Sequence, residues 1–359
     1  MKLKNSISPN FDKPLFLTVI IITVFGLISI YNSSSVIASY DFGNKYYFMF
    51  EQIKWLVVGF MALFVCYKIP YKKWYSISLY LLLVSLFLLL LVLIPGIGVA
   101  VKGAQRWLPF GGQPGELAKL SLVIYLSAWF SHKEKGRLGA FLILCGFFIG
   151  LILLQPDMGT AVIVSLIAFI LYFLSGAPLG QFFLLLPVGV FLGFLLIKIA
   201  PYRFARFTTF LNFNSDPLGA SYHIRQILIA LGGGGFWGIG LGNSRQKYAY
   251  VPEASTDSIF AIIAEEIGFV GSTILIALFI YLFYRGMKIA SRANDPFGKM
   301  LASGIIIWIA SQVIINLASM VALVPLTGVP LPFISYGGTS LLVLLAGIGI
   351  LLNISKQSK

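Results

Sequence analysis

Acidic residues gather at the start of one hydrophobic stretch of this 359-residue sequence. Residues 252–257 read Pro-Glu-Ala-Ser-Thr-Asp, and the apolar run that follows, 259–284, itself contains Glu265 and Glu266. The chain is 58% hydrophobic and has only 12 acidic residues. Because an ionisable group at or inside a membrane span is energetically expensive, its default interpretation is a functional site.

Asp257 also has a plainer interpretation. Ser255, Thr256 and Asp257 are all good N-cap residues for a helix that begins near 259. A cap position does not exclude chemistry, because the helix dipole keeps such a carboxylate ionised. An ionised carboxylate can accept a proton, so both interpretations stay open at this point.

Glu116 and Asp157 each have a structural and a functional interpretation as well. Glu116 and Lys119 are three residues apart and therefore share one face of a helix. They form either an ion pair near the lipid headgroups, where a long lysine side chain keeps its charge in water, or a pair that points into a polar cavity. Asp157, in the sequence Gln-Pro-Asp of 155–157, either caps the next helix or belongs to a site.

A glycine-rich stretch at 232–244 precedes the acidic motif. Its alternating glycines can be mistaken for a dinucleotide-binding fingerprint, but no strand–helix–strand pattern surrounds them. We expect these glycines to permit tight turns and close approach of the backbone to a ligand or a neighbouring helix.

The composition indicates which elements position these residues. A mean hydropathy of +0.93 with 11% charged residues is typical of a polytopic membrane protein. Most apolar runs have about 20 residues, enough for a helix to cross the hydrocarbon core. We predict an all-α polytopic membrane protein, a single integral membrane domain over 1–359. Its ten predicted spans are 14–31, 48–66, 75–94, 117–130, 139–154, 160–174, 181–199, 259–284, 300–324 and 338–354.

Lysine and arginine residues predict the orientation. With ten spans both termini lie on one side, which holds most of these residues, and the short loops of the other side hold only Lys45, Lys102 and Arg106. The positive-inside rule puts both termini in the cytoplasm. The net charge of +14 then reflects topology and attraction to anionic lipids. The basic residues are scattered between the spans and do not form one patch, which argues against nucleic-acid binding.

The longest connection, at 200–258, is predicted to lie outside the cytoplasm and to carry the chemistry, since long loops in compact proteins are usually functional. Within it, 221–231 has apolar residues at helical spacing beside His223, Arg225 and Gln226. That pattern is typical of an interfacial amphipathic helix.

Several of these motifs together resemble the SEDS family (shape, elongation, division and sporulation). One signature is Gly-Leu-Gly-Asn-Ser-Arg-Gln-Lys at 240–247, followed by Pro-Glu-Ala at 252–254, Thr256-Asp257 and Glu-Glu-Ile-Gly at 265–268. A second, Thr-Gly-Val-Pro-Leu-Pro-Phe-Ile-Ser-Tyr-Gly-Gly, lies at 327–338. Shorter matches are Gln113-Pro114 with Glu116 and Lys119, Gln-Pro-Asp at 155–157, Arg106-Trp107, and Gln312 with Asn316. Within the family the sequence is more similar to the division member FtsW than to the elongation member RodA.

The resemblance implies a peptidoglycan glycosyltransferase that polymerises lipid II, the undecaprenyl-pyrophosphate-linked disaccharide, at the outer face of a bacterial cytoplasmic membrane. In that reaction the 4-hydroxyl of one sugar attacks the anomeric carbon of another, and Asp257 is the outer acid that best fits the general base. Cations must offset the charge of the departing pyrophosphate. The residues expected to bind substrate are Glu116, Lys119, Asp157, Arg203, Arg206, Arg225, Arg245, Lys247 and Ser335. A divalent cation, Mg²⁺ or Mn²⁺, can share this role, although no ligand spacing in the sequence identifies a metal site.

The resemblance also implies partners: a class B penicillin-binding protein (a transpeptidase) and other proteins of the division or elongation machinery. Gly304, Ala310, Ser311 and Ala318 of the ninth span are small enough to let a partner helix, or one of the chain's own spans, approach closely. Two other functions stay open. A lipid II flippase would use midplane charges, broken helices and internal repeats, and a non-catalytic scaffold would not need Asp257.

Overall fold

A computed structural model describes residues 11–101, 104–109, 111–132, 136, 138–212, 219, 221–248 and 250–357. Within these residues the chain forms twelve helices and one two-stranded hairpin. The elements in chain order are α1 (Lys13–Phe42), α2 (Tyr47–Lys68), α3 (Tyr71–Leu93), β1 (Val99–Val101), β2 (Ala104–Trp107), α4 (Pro114–Phe130), α5 (Leu138–Leu154), α6 (Met158–Leu174), α7 (Leu179–Ile199), α8 (Pro201–Leu211), α9 (Tyr222–Gly233), α10 (Ile259–Arg292), α11 (Pro296–Met320) and α12 (Gly338–Gln357).

Each of the ten predicted spans coincides with a helix, namely α1 to α7 and α10 to α12. Among the described residues, seven helices are long and apolar enough to cross a membrane. Helices α4, α5 and α6 have 17 residues each and rise about 25 Å, a little less than the hydrocarbon core. The prediction of an all-α polytopic membrane protein is confirmed.

Helix α4 lies at the centre of the bundle, where it packs against α3, α6 and α11. Most of its residues are buried, and several of them are small: Gly115, Ala118, Ser121, Ser127 and Ala128. Small side chains let helix backbones approach closely in a membrane protein, where no water drives the helices together. Helix α7 is the opposite case, since none of its residues is buried.

The connection between α7 and α10 contains two helices. The amphipathic helix predicted at 221–231 is confirmed as α9, whereas α8 was not predicted. Helix α8 begins with Pro201 at its first position, where a missing N–H costs nothing. The antiparallel hairpin of β1 and β2, which sets Ala100 opposite Gln105, was also not predicted.

Candidate active site at the start of α10

Asp257 lies one residue before the cap of α10. Ser258 occupies the N-cap position and makes no side-chain capping hydrogen bond. The interpretation of Ser255, Thr256 or Asp257 as the cap is therefore wrong. The reason is local geometry, because the chain continues in turns up to Ser258 and enters helical geometry only at Ile259.

The backbone of Asp257 is held by a buried amide from another helix. The side-chain nitrogen of Asn316, in α11, donates to the carbonyl oxygens of Asp257 at 2.7 Å and of Val329 at 2.8 Å. Asn316 is fully buried, so both hydrogen bonds form in a poorly solvated place and are expensive to lose. This single side chain joins α11, the start of α10 and the connection at 321–337.

That connection packs directly against the acidic motif. The Ser335 hydroxyl donates to the carbonyl of Thr256 at 2.5 Å, and the Tyr336 N–H donates to the carbonyl of Ser255 at 2.8 Å. A side-chain carbon on Gly328, whose φ is +70°, would lie 3.7 Å from Oδ2 of Asp257. The Asp257 carboxylate therefore faces the backbone at Gly328.

A second carboxylate shares a hydroxyl with Asp257. Oγ1 of Thr256 lies 2.9 Å from Oε2 of Glu253 and 3.0 Å from Oδ1 of Asp257. Since one hydroxyl donates one proton, Thr256 serves one of these carboxylates at a time. Glu253 has a φ of +55°, and non-glycine residues in this region are uncommon and concentrate at functional sites. Thr256 and Glu253 were not among the predicted site residues.

Helix α9 also contacts the N-cap of α10. A ring nitrogen of His223 lies 2.8 Å from the Ser258 hydroxyl, with the donor set by the tautomer. The position of His223 on the polar face of the predicted amphipathic helix was a signal for this contact. Asn316 offered a similar signal, because an amide in an otherwise apolar span needs a partner.

Asp157 serves as a helix cap, as one of the two interpretations predicted. Its Oδ1 accepts from the Thr160 N–H at 3.0 Å, and its Oδ2 accepts from the Thr160 hydroxyl at 2.9 Å and from the Gln113 amide at 3.1 Å. Arg106 lies 4.0 Å away. A side-chain carbon on Gly159 would lie 2.7 Å from the carbonyl of Thr327. The start of α6 thus packs against the same connection that Asp257 faces.

Glu116 and Lys119 form an ion pair of 2.8 Å inside the bundle. Their exposed fractions are only 3% and 1%, so the interpretation as a headgroup-level pair is wrong. The Lys119 ammonium also lies 5.8 Å from the centre of the Trp308 ring. Within the described residues, Oε2 of Glu116 and both polar atoms of the Gln312 side chain are buried without a hydrogen-bond partner. Buried polar atoms of this kind are usually satisfied by ordered water, as expected for a polar cavity.

The predicted cationic residues divide into two groups. Arg203 is buried and donates to the carbonyls of Leu153 and Leu196, and Lys247 is buried and donates to the carbonyl of Gly242. Arg206 and Arg245 are exposed.

Arg206 donates at 3.2 Å to the carbonyl of Leu326, two residues before the glycine that faces Asp257. Arg225 is half-buried on α9. Exposed arginines are better suited to bind an anionic leaving group than buried cations that already donate to backbone carbonyls.

Oxygen ligands for a divalent cation are sparse. Among the described residues, no group of three Asp, Glu, His or Cys side chains is arranged to hold a metal ion. Glu253 and Asp257 supply two carboxylates on either side of one hydroxyl, a donor type that Mg²⁺ and Mn²⁺ prefer. A bound pyrophosphate would have to complete such a set.

Comparisons with known proteins show which proteins this chain is similar to. The family model described as a cell cycle protein, FtsW/RodA/SpoVE, matches residues 12–359. Stage V sporulation protein E of Bacillus subtilis is 40% identical over 96% of both chains. The probable peptidoglycan glycosyltransferase FtsW of Trichlorobacter lovleyi is 40% identical over 97% of this chain and 94% of its own. A solved structure of a peptidoglycan synthase complex that coordinates polymerization and crosslinking contains a chain with a TM-score of 0.78, 28% identity, and coverage of 96% of this chain and 97% of its own.

Proposed function

This chain belongs to the FtsW/RodA/SpoVE family and is a peptidoglycan glycosyltransferase, and we propose that it joins lipid II disaccharides with Asp257 as the general base. The observation that carries the proposal is the position of Asp257, which lies at the start of α10 between the buried amide of Asn316 and the backbone at Gly328. Its location at the end of a span suits a substrate whose lipid tail stays in the bilayer.

The proposed step is a displacement at an anomeric carbon. The 4-hydroxyl oxygen of the acceptor sugar forms the new bond to the anomeric carbon of the donor, and the bond from that carbon to the pyrophosphate oxygen breaks. The hydroxyl proton passes to the Asp257 carboxylate, and the electron pair of the broken bond leaves with the lipid pyrophosphate. General-base assistance of this kind contributes typically about 10²–10⁴-fold to a rate.

The exposed cations Arg206 and Arg245 offset the charge of the leaving group in this proposal. Arg206 is fixed next to Leu326 by its hydrogen bond to that carbonyl, and Arg245 extends from the loop that precedes the acidic motif. Positive groups aimed at developing charge are usually the largest contribution to catalysis. Glu253 and Asp257 would be the residues to hold a Mg²⁺ or Mn²⁺ ion, which would supply further positive charge for the leaving group, and loss of polymerisation in EDTA tests this part.

The chain is a multi-pass membrane protein. We propose that both termini face the bacterial cytoplasm, so that Asp257 faces outward. A class B penicillin-binding protein is the proposed partner, supported by the similar structure in which polymerization and crosslinking are coordinated. The small residues of α11 do not form one open groove for it. Gly304 packs against Val123 and Leu171 and Ser311 is buried, whereas Ala310 and Ala318 are half-buried.

The competing functions are distinguished by one reconstitution. The purified chain is given lipid II in detergent, alone and with its class B partner, and glycan strands are measured. We expect polymer in this assay, faster with the partner. A flippase needs two membrane faces and makes no polymer in detergent, and a scaffold makes none under either condition. The break in α10 at Gly268 is a feature of transporters too, but a loop of the same chain fills it.

A further inference from the structure

Helix α10 is broken at Gly268, where φ is +66° and ψ is −167°. An unbroken helix would bond the N–H of Phe269 to the carbonyl of Glu265, and the N–H of Val270 to the carbonyl of Glu266. Instead, the N–H groups of Phe269 and Val270 donate to the carbonyls of Gly235 and Phe236, at 2.9 and 3.1 Å.

The two carbonyls left by the break are also satisfied from outside the helix. The carbonyls of Glu265 and Glu266 accept from the N–H groups of Ile239 and Gly240, both at 3.1 Å. Residues 234–247, called here the glycine loop, therefore replace two helical hydrogen bonds by four of their own. Irregular backbone at membrane depth is tolerated only when its polar groups are satisfied in this way.

The glycines of the loop make this contact possible. A side-chain carbon on Gly238 would lie 2.1 Å from the carbonyl oxygen of Glu266, and one on Gly268 would lie 2.2 Å from the nitrogen of Gly238. Both residues have positive φ. The expectation that glycines of 232–244 permit close backbone approach to a neighbouring helix is confirmed at Gly238.

The side chains of Glu265 and Glu266 bind the far end of the same loop. The Glu265 carboxylate accepts from the Ser244 hydroxyl and from the N–H groups of Arg245 and Gln246, the latter two at 3.4 Å. The Glu266 carboxylate accepts from Asn32 of α1 at 3.1 Å and lies near the N–H groups of Gly242 and Ser244 and the Lys247 ammonium. The two carboxylates are only 4% and 3% exposed. Buried charges are costly unless they are paired and hydrogen-bonded. Both oxygens of Glu265 meet that need through the Ser244 hydroxyl and backbone N–H groups, whereas Oε1 of Glu266 is buried without a hydrogen-bond partner among the described residues.

We propose that Ser244, Glu265 and Glu266 act as positioning residues for Asp257, by fixing residues 259–267, the N-terminal arm of α10, to the glycine loop. Asp257 lies just before this arm, eight residues before Glu265. Because the break removes two of the bonds that would fix the arm to the rest of α10, its direction depends on the loop. The inference rests on the proposed function, since it assigns Asp257 as the group whose placement matters.

The kinetic test uses Ser244→Ala, which removes one hydroxyl, with Ser244→Thr as the conservative variant and Asp41→Asn, an exposed acid of α1, as the control. For lipid II polymerisation we expect kcat to fall about tenfold in Ser244→Ala at nearly unchanged KM and thermal midpoint, because small displacements of a reacting group slow the chemical step. Ser244→Thr should restore most of the rate. Wild-type kcat in Ser244→Ala would overturn the proposal.

A purely structural role is separated by combining variants. If Ser244 acts through Asp257, Ser244→Ala adds no further loss to Asp257→Asn, whereas a general folding defect multiplies the two losses. The same combination is made with Glu265→Gln in place of Ser244→Ala. If the losses multiply in both double variants, the inference is overturned.

Amide hydrogen exchange tests whether the glycine loop holds the N-terminal arm of α10, even if Asp257 is not the base. Faster exchange at 259–267 in Ser244→Ala, relative to wild type and Asp41→Asn, supports a loop that holds the arm. Unchanged exchange there contradicts it, independently of activity. If exchange at 259–267 rises in Ser244→Ala but Asp257→Asn polymerises normally, the proposed role of Asp257 fails, and the contact between loop and arm does not serve to position a base.

Discussion

Two aspartates lie at the starts of two helices in this glycosyltransferase, and they occupy different positions relative to the helix cap. Asp157 is the N-cap of α6 and accepts from the Thr160 N–H. Asp257 lies one residue before the N-cap of α10, and the capping position belongs to Ser258. Both have the same sequence context, an acid just before an apolar run, so sequence alone allowed both interpretations for each.

The difference is one of register and surroundings. The Asp157 carboxylate is occupied by Thr160 and Gln113, and such a group mainly stabilises the fold. Asp257 is held through its backbone carbonyl by Asn316, and its carboxylate lies beside the Thr256 hydroxyl and the backbone at Gly328. A shift of one residue along the chain thus separates the N-cap aspartate of α6 from Asp257, the residue that we propose as the general base.

Of the variants that test this difference, Asp257→Asn is expected to have the largest effect on activity. The substitution keeps the shape of the side chain and removes its basicity, so polymerisation of lipid II should fall by about 10²–10⁴-fold. The thermal midpoint of the purified protein should stay close to wild type. Polymer formation at a normal rate would remove Asp257 from the chemistry and favour a scaffold.

The buried ion pair of Glu116 and Lys119 is tested by comparing the loss of one charge with the exchange of both. Glu116→Ala or Lys119→Ala leaves one uncompensated charge in the centre of the bundle, which costs about 3–5 kcal/mol of unfolding free energy. The Glu116→Lys, Lys119→Glu exchange should recover part of that loss. Thermal unfolding in detergent measures it, and wild-type stability in either single variant would show that water already solvates the remaining charge.

Much of this fold follows from local sequence signals. The ten apolar runs predicted ten helices because span length and hydropathy are local properties, and the spacing at 221–231 predicted α9 for the same reason. The family motifs also led directly to Asp257. The pairing of Glu116 with Lys119 was predictable from a spacing of three, although their burial was not.

The remaining features depend on contacts between distant residues. The break in α10 requires the glycine loop to be in place some thirty residues earlier in the chain. Asn316 reaches Asp257 across 59 residues, and no periodicity indicates which carbonyl a buried amide will find. Which of Arg203 and Arg206 is buried depends on how α8 packs, and the apolar pattern of α8 is too short to predict that.

Gly328→Ala probes the surroundings of Asp257 with a smaller expected effect. Gly328 has a φ of +70° and Gly96 a φ of +88°, so alanine at either position strains the backbone by about 1–2 kcal/mol. A side-chain carbon at Gly96 meets nothing within 4 Å, whereas one at Gly328 contacts Asp257. We expect both variants to lose similar stability and only Gly328→Ala to lose activity, about tenfold. Equal activities would mean that the backbone at Gly328 does not govern the carboxylate.

Asp157 gives the smallest expected effect and the sharpest check on the contrast. Asp157→Ala removes a helix cap and should lower the unfolding free energy by about 1 kcal/mol, while Asp157→Asn keeps an acceptor for the Thr160 N–H and should recover most of it. If Asp157 also contacts substrate, as the family resemblance predicts, Asp157→Asn raises KM and leaves kcat within about threefold. Steady-state kinetics on lipid II separate the two constants. A fall in kcat as large as that of Asp257→Asn would mean that a carboxylate used as a cap also takes part in the chemical step, and the distinction between the two aspartates would be lost.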